Sequence, residues 1–351
     1  MNRSSLNLIL AMVAVSALTM TASAQSKKRA TKKPPAPVAS PAPADAAVAP
    51  EAANGPGEDA PAAPSSSTTA SAISQYQWQP LAGQSGAQAL LGYAISSSKT
   101  KQNGIESAKT DASLAALELI YQYGLTSRNS VGVTTTYSSL KATATPAGAS
   151  SGIELKASGL GDVYFDSRNF ADAGSGRVLF GASLGVSPGK RKPVTSGQEG
   201  NLYSGGLSLP VYGGYEADTS GGKFGAVLRY AFRFERTAES SFGGPDTATT
   251  GGHTLTVNGY YEGGGLPSHW LARLGYSTTA DSENKSGGSA STSKGYSSIL
   301  YGGSWGTYLS SGLLLALHYD GSYVLKQEIT STSEVEPYLS HAFSARVRAE
   351  F

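Results

Sequence analysis

The sequence predicts an all-β fold: an antiparallel up-and-down transmembrane β-barrel of about twelve strands, after a signal peptide and a disordered Ala/Pro-rich linker. Three observations predict it. Apolar and polar residues alternate with period two through most of residues 75–351. The connections between the alternating runs are short and long in turn. The composition has 43 Gly and 19 Tyr but only 15% charged residues, against about 25% in ordinary soluble domains.

The N-terminal segment is an address. Arg3 supplies a positive start, and Leu6 to Met20 is an apolar run too short to span a bilayer comfortably. Ala22-Ser23-Ala24 is a small-x-small cleavage site before Gln25, so residues 1–24 read as a secretory signal peptide. The chain has no Cys, which excludes a lipid anchor after the apolar run, disulfides and thiolate chemistry. Residues 25–74 are rich in Ala, Pro, Ser and Lys, a composition that buries no core and favours an extended, disordered spacer. The early cluster of Lys27, Lys28, Arg29, Lys32 and Lys33 suits a periplasmic tether facing an acidic surface.

The strands follow in order, each with an apolar face. The first carries Ala87, Ala89, Leu91, Tyr93 and Ile95; the second Leu117, Leu119, Tyr121 and Tyr123, against Glu118. The third has Val131, Val133 and Tyr137. The fourth, near 154–170, sets Val163 and Phe165 against Asp162, Asp166 and Arg168. Val178, Phe180 and Leu184 mark the fifth, and Leu207, Leu209 and Val211 the sixth. The seventh sets Phe224, Leu228, Phe232 and Phe234 against Arg229 and Arg233. The eighth has Leu255, Val257 and Tyr261 against Glu262, and the ninth Trp270, Leu274 and Tyr276 against Arg273. Ile299, Tyr301 and Trp305 form the tenth. The eleventh sets Leu313, Leu315 and Leu317 against His318 and Asp320. The last sets Phe343, Val347 and Phe351 against Arg346 and Arg348.

So many ionisable groups cannot fill a dry core without a severe desolvation cost. An apolar face to lipid and a polar face to a wet lumen satisfies both patterns, and closure satisfies the backbone. The expected lumen and constriction residues are therefore Glu118, Asp162, Asp166, Arg168, Arg229, Arg233, Glu262, Arg273, His318, Asp320, Arg346 and Arg348. Tyr and Trp near strand ends should form interfacial girdles. Long loops are expected near 100–110, 143–153, 188–203, 237–252, 280–294 and 325–334. Pro210 suggests a bulge in strand six. Gln75–Pro80, with Tyr76 and Trp78 alternating, fits either an extra strand or a segment entering the lumen.

The chain resembles a Gram-negative outer-membrane β-barrel in its closing strand, which ends in Phe351 behind Phe343 and Val347. The resemblance implies that these residues form a signal read by the barrel-assembly machinery. Gly159-Leu160-Gly161-Asp162-Val163 is similar to a Gly-x-Gly-Asp element of the outer-membrane family associated with phenol meta-pathway degradation. Tyr121-Gln122-Tyr123-Gly124-Leu125-Thr126 is a second likeness. Members of that family are regarded as transporters or channels, which implies small aromatic or hydrophobic solutes.

Other chemistry is sparse. His253, His269, His318 and His341 lack metal-ligand spacing. His318, Asp320 and Ser322 share one strand face, but alternate residues lie about 6.5–7 Å apart, too far for nucleophile–base contact. Lys190, Arg191 and Lys192 fall in an expected external loop, where they would meet lipopolysaccharide phosphates or draw anions to the mouth. The formal net charge of +2 gives no reason to expect nucleic acid. No cofactor or metal is expected, and no enzymatic activity. Two functions remain: a passive channel or transporter for small solutes, or a non-conducting surface barrel acting through its loops. Its partners would be outer-membrane lipid, lipopolysaccharide, the assembly machinery and a small solute.

Overall fold

The computed structural model describes residues 74–194, 198–240, 244–265, 267–310, 312–330 and 332–351. The expected signal peptide and residues 25–73 of the expected linker lie outside them. Twelve staves form one closed antiparallel ring. They are β1 (Ser85–Gln102), β2 (Ile105–Gly124), β3 (Asn129–Pro146) and β4, made of Ile153–Leu160 and Val163–Ala173. Next come β5 (Gly176–Val186), β6 (Gly206–Thr219) and β7 (Gly222–Ala238). The remaining staves each have two segments. They are β8 (Thr247–Gly251, Thr254–Gly265), β9 (Ser268–Thr279, Ser282–Ser286) and β10 (Ser289–Ser293, Tyr296–Ser310). The last two are β11 (Leu313–Val324, Gln327–Thr330) and β12 (Ser333–Val335, Tyr338–Glu350).

Closure joins β12 to β1, in register from Gly86 opposite Glu350 to Ser96 opposite Ser340. The seam extends to the last residue: Ser85 N donates to Phe351 O at 2.7 Å, and Phe351 N to Ser85 O at 3.0 Å. A closed ring leaves no unpaired edge for lipid to meet.

The outer face is apolar. Leu91 is 65% exposed and Leu274 63%, and Leu117, Leu228, Val257, Leu317 and Val347 are also exposed. In water so many uncovered side chains would be an aggregation surface; against acyl chains they are the match. Tyr121, Tyr123, Tyr215, Trp270 and Trp305 ring the short-turn end of this face. Tyr93, opposite Ala115 on β2, belongs to a second aromatic level with Tyr276 and Phe343. Six residues separate Ala115 from Tyr121 on β2, so the levels stand about 20 Å apart along the strand.

Two expectations need correction. The expected loops at 100–110 and 280–294 are largely strand. β1 and β2 continue to a two-residue turn at Asn103-Gly104, with φ of 52° and 80°. β9 and β10 continue to Gly287-Gly288, with φ of 54° and 84°. Two successive positive φ values give the turn whose twist matches that of the strands. The bulge expected at Pro210 lies elsewhere. Pro210 keeps its register opposite Ala231, while the β6–β7 shift falls between Gly206 and Ser208, opposite Arg236 and Arg233. The missing Pro210 amide interrupts only the β5 ladder, which lapses between Ala182–Val211 and Gly185–Ser208 without changing register.

Candidate functional site: the lumen and its N-terminal plug

The segment from Ser74 to Gln84 enters the lumen at the short-turn end, settling the alternatives left open for Gln75–Pro80. It begins with a 3-10 turn, Gln75–Gln77. Ser74 is fully buried, and its N donates to both Glu216 carboxylate oxygens at 3.1 and 3.2 Å. Gln75 N donates to Glu262 Oε2 at 2.6 Å, and Gln75 Nε2 to the Tyr308 hydroxyl at 3.1 Å. Arg168 donates to Trp78 O at 3.2 Å, and Ser130 Oγ to Gln79 Oε1 at 3.1 Å. Gly83 N donates to Gly124 O at 2.8 Å, tying the segment to the barrel rim before β1 begins.

Trp78 is the anchor. Only 2% of it is exposed, and the Arg348 guanidinium lies 4.2 Å from its ring centroid. Such a desolvated cation–π contact is worth about 2 kcal/mol. The ring occupies the space that a side chain at position 86 would need: a Cβ on Gly86 would stand 2.2 Å from it. Arg348, itself fully buried, also donates to Tyr308 at 2.7 Å and pairs with Glu350 at 3.0 Å.

Glu216 joins plug to wall. Besides Ser74 it accepts from the Tyr260 hydroxyl at 2.7 Å and faces Arg177 at 3.7 Å. Tyr76 lies against Tyr260, with ring centroids 4.6 Å apart. The inward glycines do not simply leave empty space. A Cβ on Gly225 would meet the Tyr260 ring at 2.3 Å, so the space is used by a neighbouring aromatic.

Above the plug lies a cavity of about 150 Å³, lined by Gln75, Tyr76, His269, Leu271, Arg273, His318, Asp320 and Arg346 among others. Arg273 holds Asp320 Oδ1 through Nη2 at 2.6 Å and Nε at 3.0 Å. Arg346, Arg168 and Arg229 and the acid Asp166 all act on Glu118, a mixed-charge belt across the inner wall. Asp166 accepts from Thr134 Oγ1 at 2.9 Å and from Ser183 Oγ. Arg233 stands opposite buried Ser208 near the long-loop end, and Asp162 accepts from Ser204 N at 3.0 Å beside it. Glu118, Asp166, Arg168, Arg229, Glu262, Arg273, His318, Asp320, Arg346 and Arg348 lie on the inward parity of their staves, and Asp162 and Arg233 near the long-loop end. Phe343, Val347 and Phe351 face outward, with Phe351 69% exposed.

The basic loop divides. Lys190 pairs with Asp246 at 2.7 Å on the outside, and this hydrogen bond holds the Asp246 carboxyl below its usual range. Lys192 is exposed, whereas Arg191 turns inward. Sequence reasoning missed Glu216, Tyr260 and Tyr308 as plug contacts. Their inward parity was readable, but their partner lies more than a hundred residues away in the chain.

No family model matches the sequence, and no curated protein matches it. Among solved structures the chain is similar to an outer membrane channel from Pseudomonas putida F1. The identity is 13% and the TM-score 0.56, over 80% of this chain and 99% of that one. A variant of the TodX monoaromatic hydrocarbon channel is more distant in shape, at 11% identity and TM-score 0.42 over 79% and 92% of the two chains. So is the translocator domain of the autotransporter NalP from Neisseria meningitidis, at 10% and 0.41 over 76% and 88%. At 13% identity the likeness is one of fold. It agrees with the closed ring, the apolar exterior and the polar lumen, which make this chain a transmembrane-type β-barrel.

Proposed function

We propose that the barrel is a channel for small solutes, closed at its short-turn end by its own N-terminal segment. In outer-membrane barrels short turns face the periplasm, so Ser74–Leu81 would close the periplasmic mouth. The observation that carries the reading is the docked Ser74–Leu81 segment beneath a polar cavity of about 150 Å³. A barrel filled by its own wall would have no space for an inserted segment. Twelve staves lie between small side-chain-filled barrels and open porins. Small aromatic or hydrophobic solutes are the class implied by the resemblance to the phenol-pathway family.

Transport, not catalysis, suits the polar groups present. Asp320 is committed to Arg273, and its alternation with His318 along β11 keeps the two apart. The outward Phe351 is the terminal group offered to the assembly machinery, and the apolar band meets lipid and lipopolysaccharide.

The filled short-turn end also favours a second reading, a non-conducting surface barrel. Planar-bilayer recording on the full chain and on a variant lacking residues 74–81 decides between them. The channel reading expects a closed or low-conductance full chain and discrete, larger steps after deletion. A folded deletion variant that inserts and stays silent leaves the surface-barrel reading.

A further inference from the structure

The long-loop end of the lumen gathers three arginines that the barrel does not neutralise. Two come from β7. Arg233 and Arg236 are three residues apart, a spacing that sends extended side chains to opposite faces. The register shift opposite Gly206 and Ser208 changes this. With one extra residue in β7, both side chains point inward. A Cβ on Gly206 would meet Arg236 Cγ at 3.1 Å, which places them on one face.

The third is Arg191. Its N donates to Thr237 O at 3.0 Å and its O accepts from Glu239 N at 2.7 Å. The connection thus runs beside the end of β7, in the place that β6 leaves vacant by starting at Gly206. Along this extended stretch Lys190 and Lys192 face water and Arg191 the lumen. The charges acting on Arg236 are Arg233 and Arg191, with Asp162 the one acid. Tyr164 and Tyr296 stand near Arg233. Among the described residues none of the three guanidiniums has an ion-pair partner, and Arg236 Nε is buried without a hydrogen bond.

Arg191, Arg233 and Arg236 are half-buried, and a charge that gives up part of its hydration is ordinarily paired. We propose that Arg191, Arg233 and Arg236 form an oxyanion site at the outer mouth, taking a soluble small molecule that bears a carboxylate or phosphate group. Planar guanidinium forks match both groups in two-point fashion. The cluster faces the lumen, so a soluble ligand reaches it and a lipid-borne phosphate on the outer wall does not. The proposal does not depend on whether the channel conducts.

The test uses the full-length barrel in detergent and follows its heat-induced unfolding by gel shift. Inorganic phosphate or succinate replaces chloride at constant ionic strength. Binding to the folded barrel raises the unfolding temperature in a saturable way. Arg236→Gln and Arg191→Gln should each need about tenfold more anion for the same shift, the loss expected for one charged hydrogen-bonding partner. Lys190→Gln should respond as the wild type does. Arg191 lies outside the staves, so its variant reports even where Arg236→Gln fails to fold. Equal responses in wild type and Arg191→Gln overturn the proposal, because they mark a general salt effect. Loss of the response in Lys190→Gln does the same. A shift produced by lipopolysaccharide alone, with neither phosphate nor succinate active, also overturns it, since the ligand is then lipid-borne.

Discussion

Replacing Trp78 with Ala should release the plug. The side chain is 2% exposed, and the Arg348 guanidinium stacks on it. Truncating a buried Trp costs about 3–5 kcal/mol. Here the loss falls on docking of the segment, since the barrel ring closes without it. At about 1.4 kcal/mol per factor of ten, the docked-to-undocked ratio falls by roughly two to nearly four orders of magnitude. The chain contains no Cys, so Ser74→Cys introduces a sole, fully buried and nearly isosteric thiol. Its labelling by a water-soluble thiol reagent reports undocking. Labelling should accelerate by the same factor, up to the rate of a free thiol. Gly86→Ala offers an independent route to the same state, because its methyl would stand 2.2 Å from the ring. Labelling unchanged within about twofold in both variants would refute the reasoning, because truncation of a docked, buried Trp cannot cost so little.

Three further outcomes follow from the wall. In the plug-deleted barrel, replacing Arg229 and Arg346 with Glu should move the reversal potential in a salt gradient towards cation preference, since both act on Glu118 within the charged belt; an unmoved potential in a conducting double variant places selectivity elsewhere. Arg273 and Asp320 are 23% and 43% exposed, so a double-mutant cycle on unfolding should give a coupling of only about 0.5–1 kcal/mol, despite the 2.6 Å contact. Deleting Phe351 removes two backbone bonds at the β1–β12 seam and the exposed terminal ring; the yield of heat-modifiable barrel in the outer membrane should fall, and normal abundance of folded protein contradicts this.

What the sequence shows depends on where lipid is. Within the apolar band every second residue must be apolar, and the period-two signal marks all twelve staves, from Leu91 on β1 to Val347 on β12. Beyond the band that requirement vanishes. The ends of β1 and β2, Ser-Ser-Lys-Thr-Lys-Gln and Ile-Glu-Ser-Ala-Lys-Thr, and the Ser/Thr ladder of β9 and β10 carry no lipid-facing stripe. They read as loops, although Asn103-Gly104 is the residue pair a tight hairpin turn prefers.

The inner wall is legible as parity but not as partnership. Glu118, Arg229 and Arg346 lie on three staves, and alternation points each of them inward. That they converge follows only from closure and register. The same limit hid the plug. Tyr76 and Trp78 alternate like a strand, yet their partners Tyr260 and Arg348 belong to β8 and β12. A one-residue register shift in β7 then reverses the parity rule itself, turning Arg236 inward beside Arg233. The inserted residue leaves no mark in composition, because Phe234 and Glu235 continue an ordinary alternation. Hence the outer face of such a barrel can be read from one chain, while the contents of its lumen depend on pairings between distant staves.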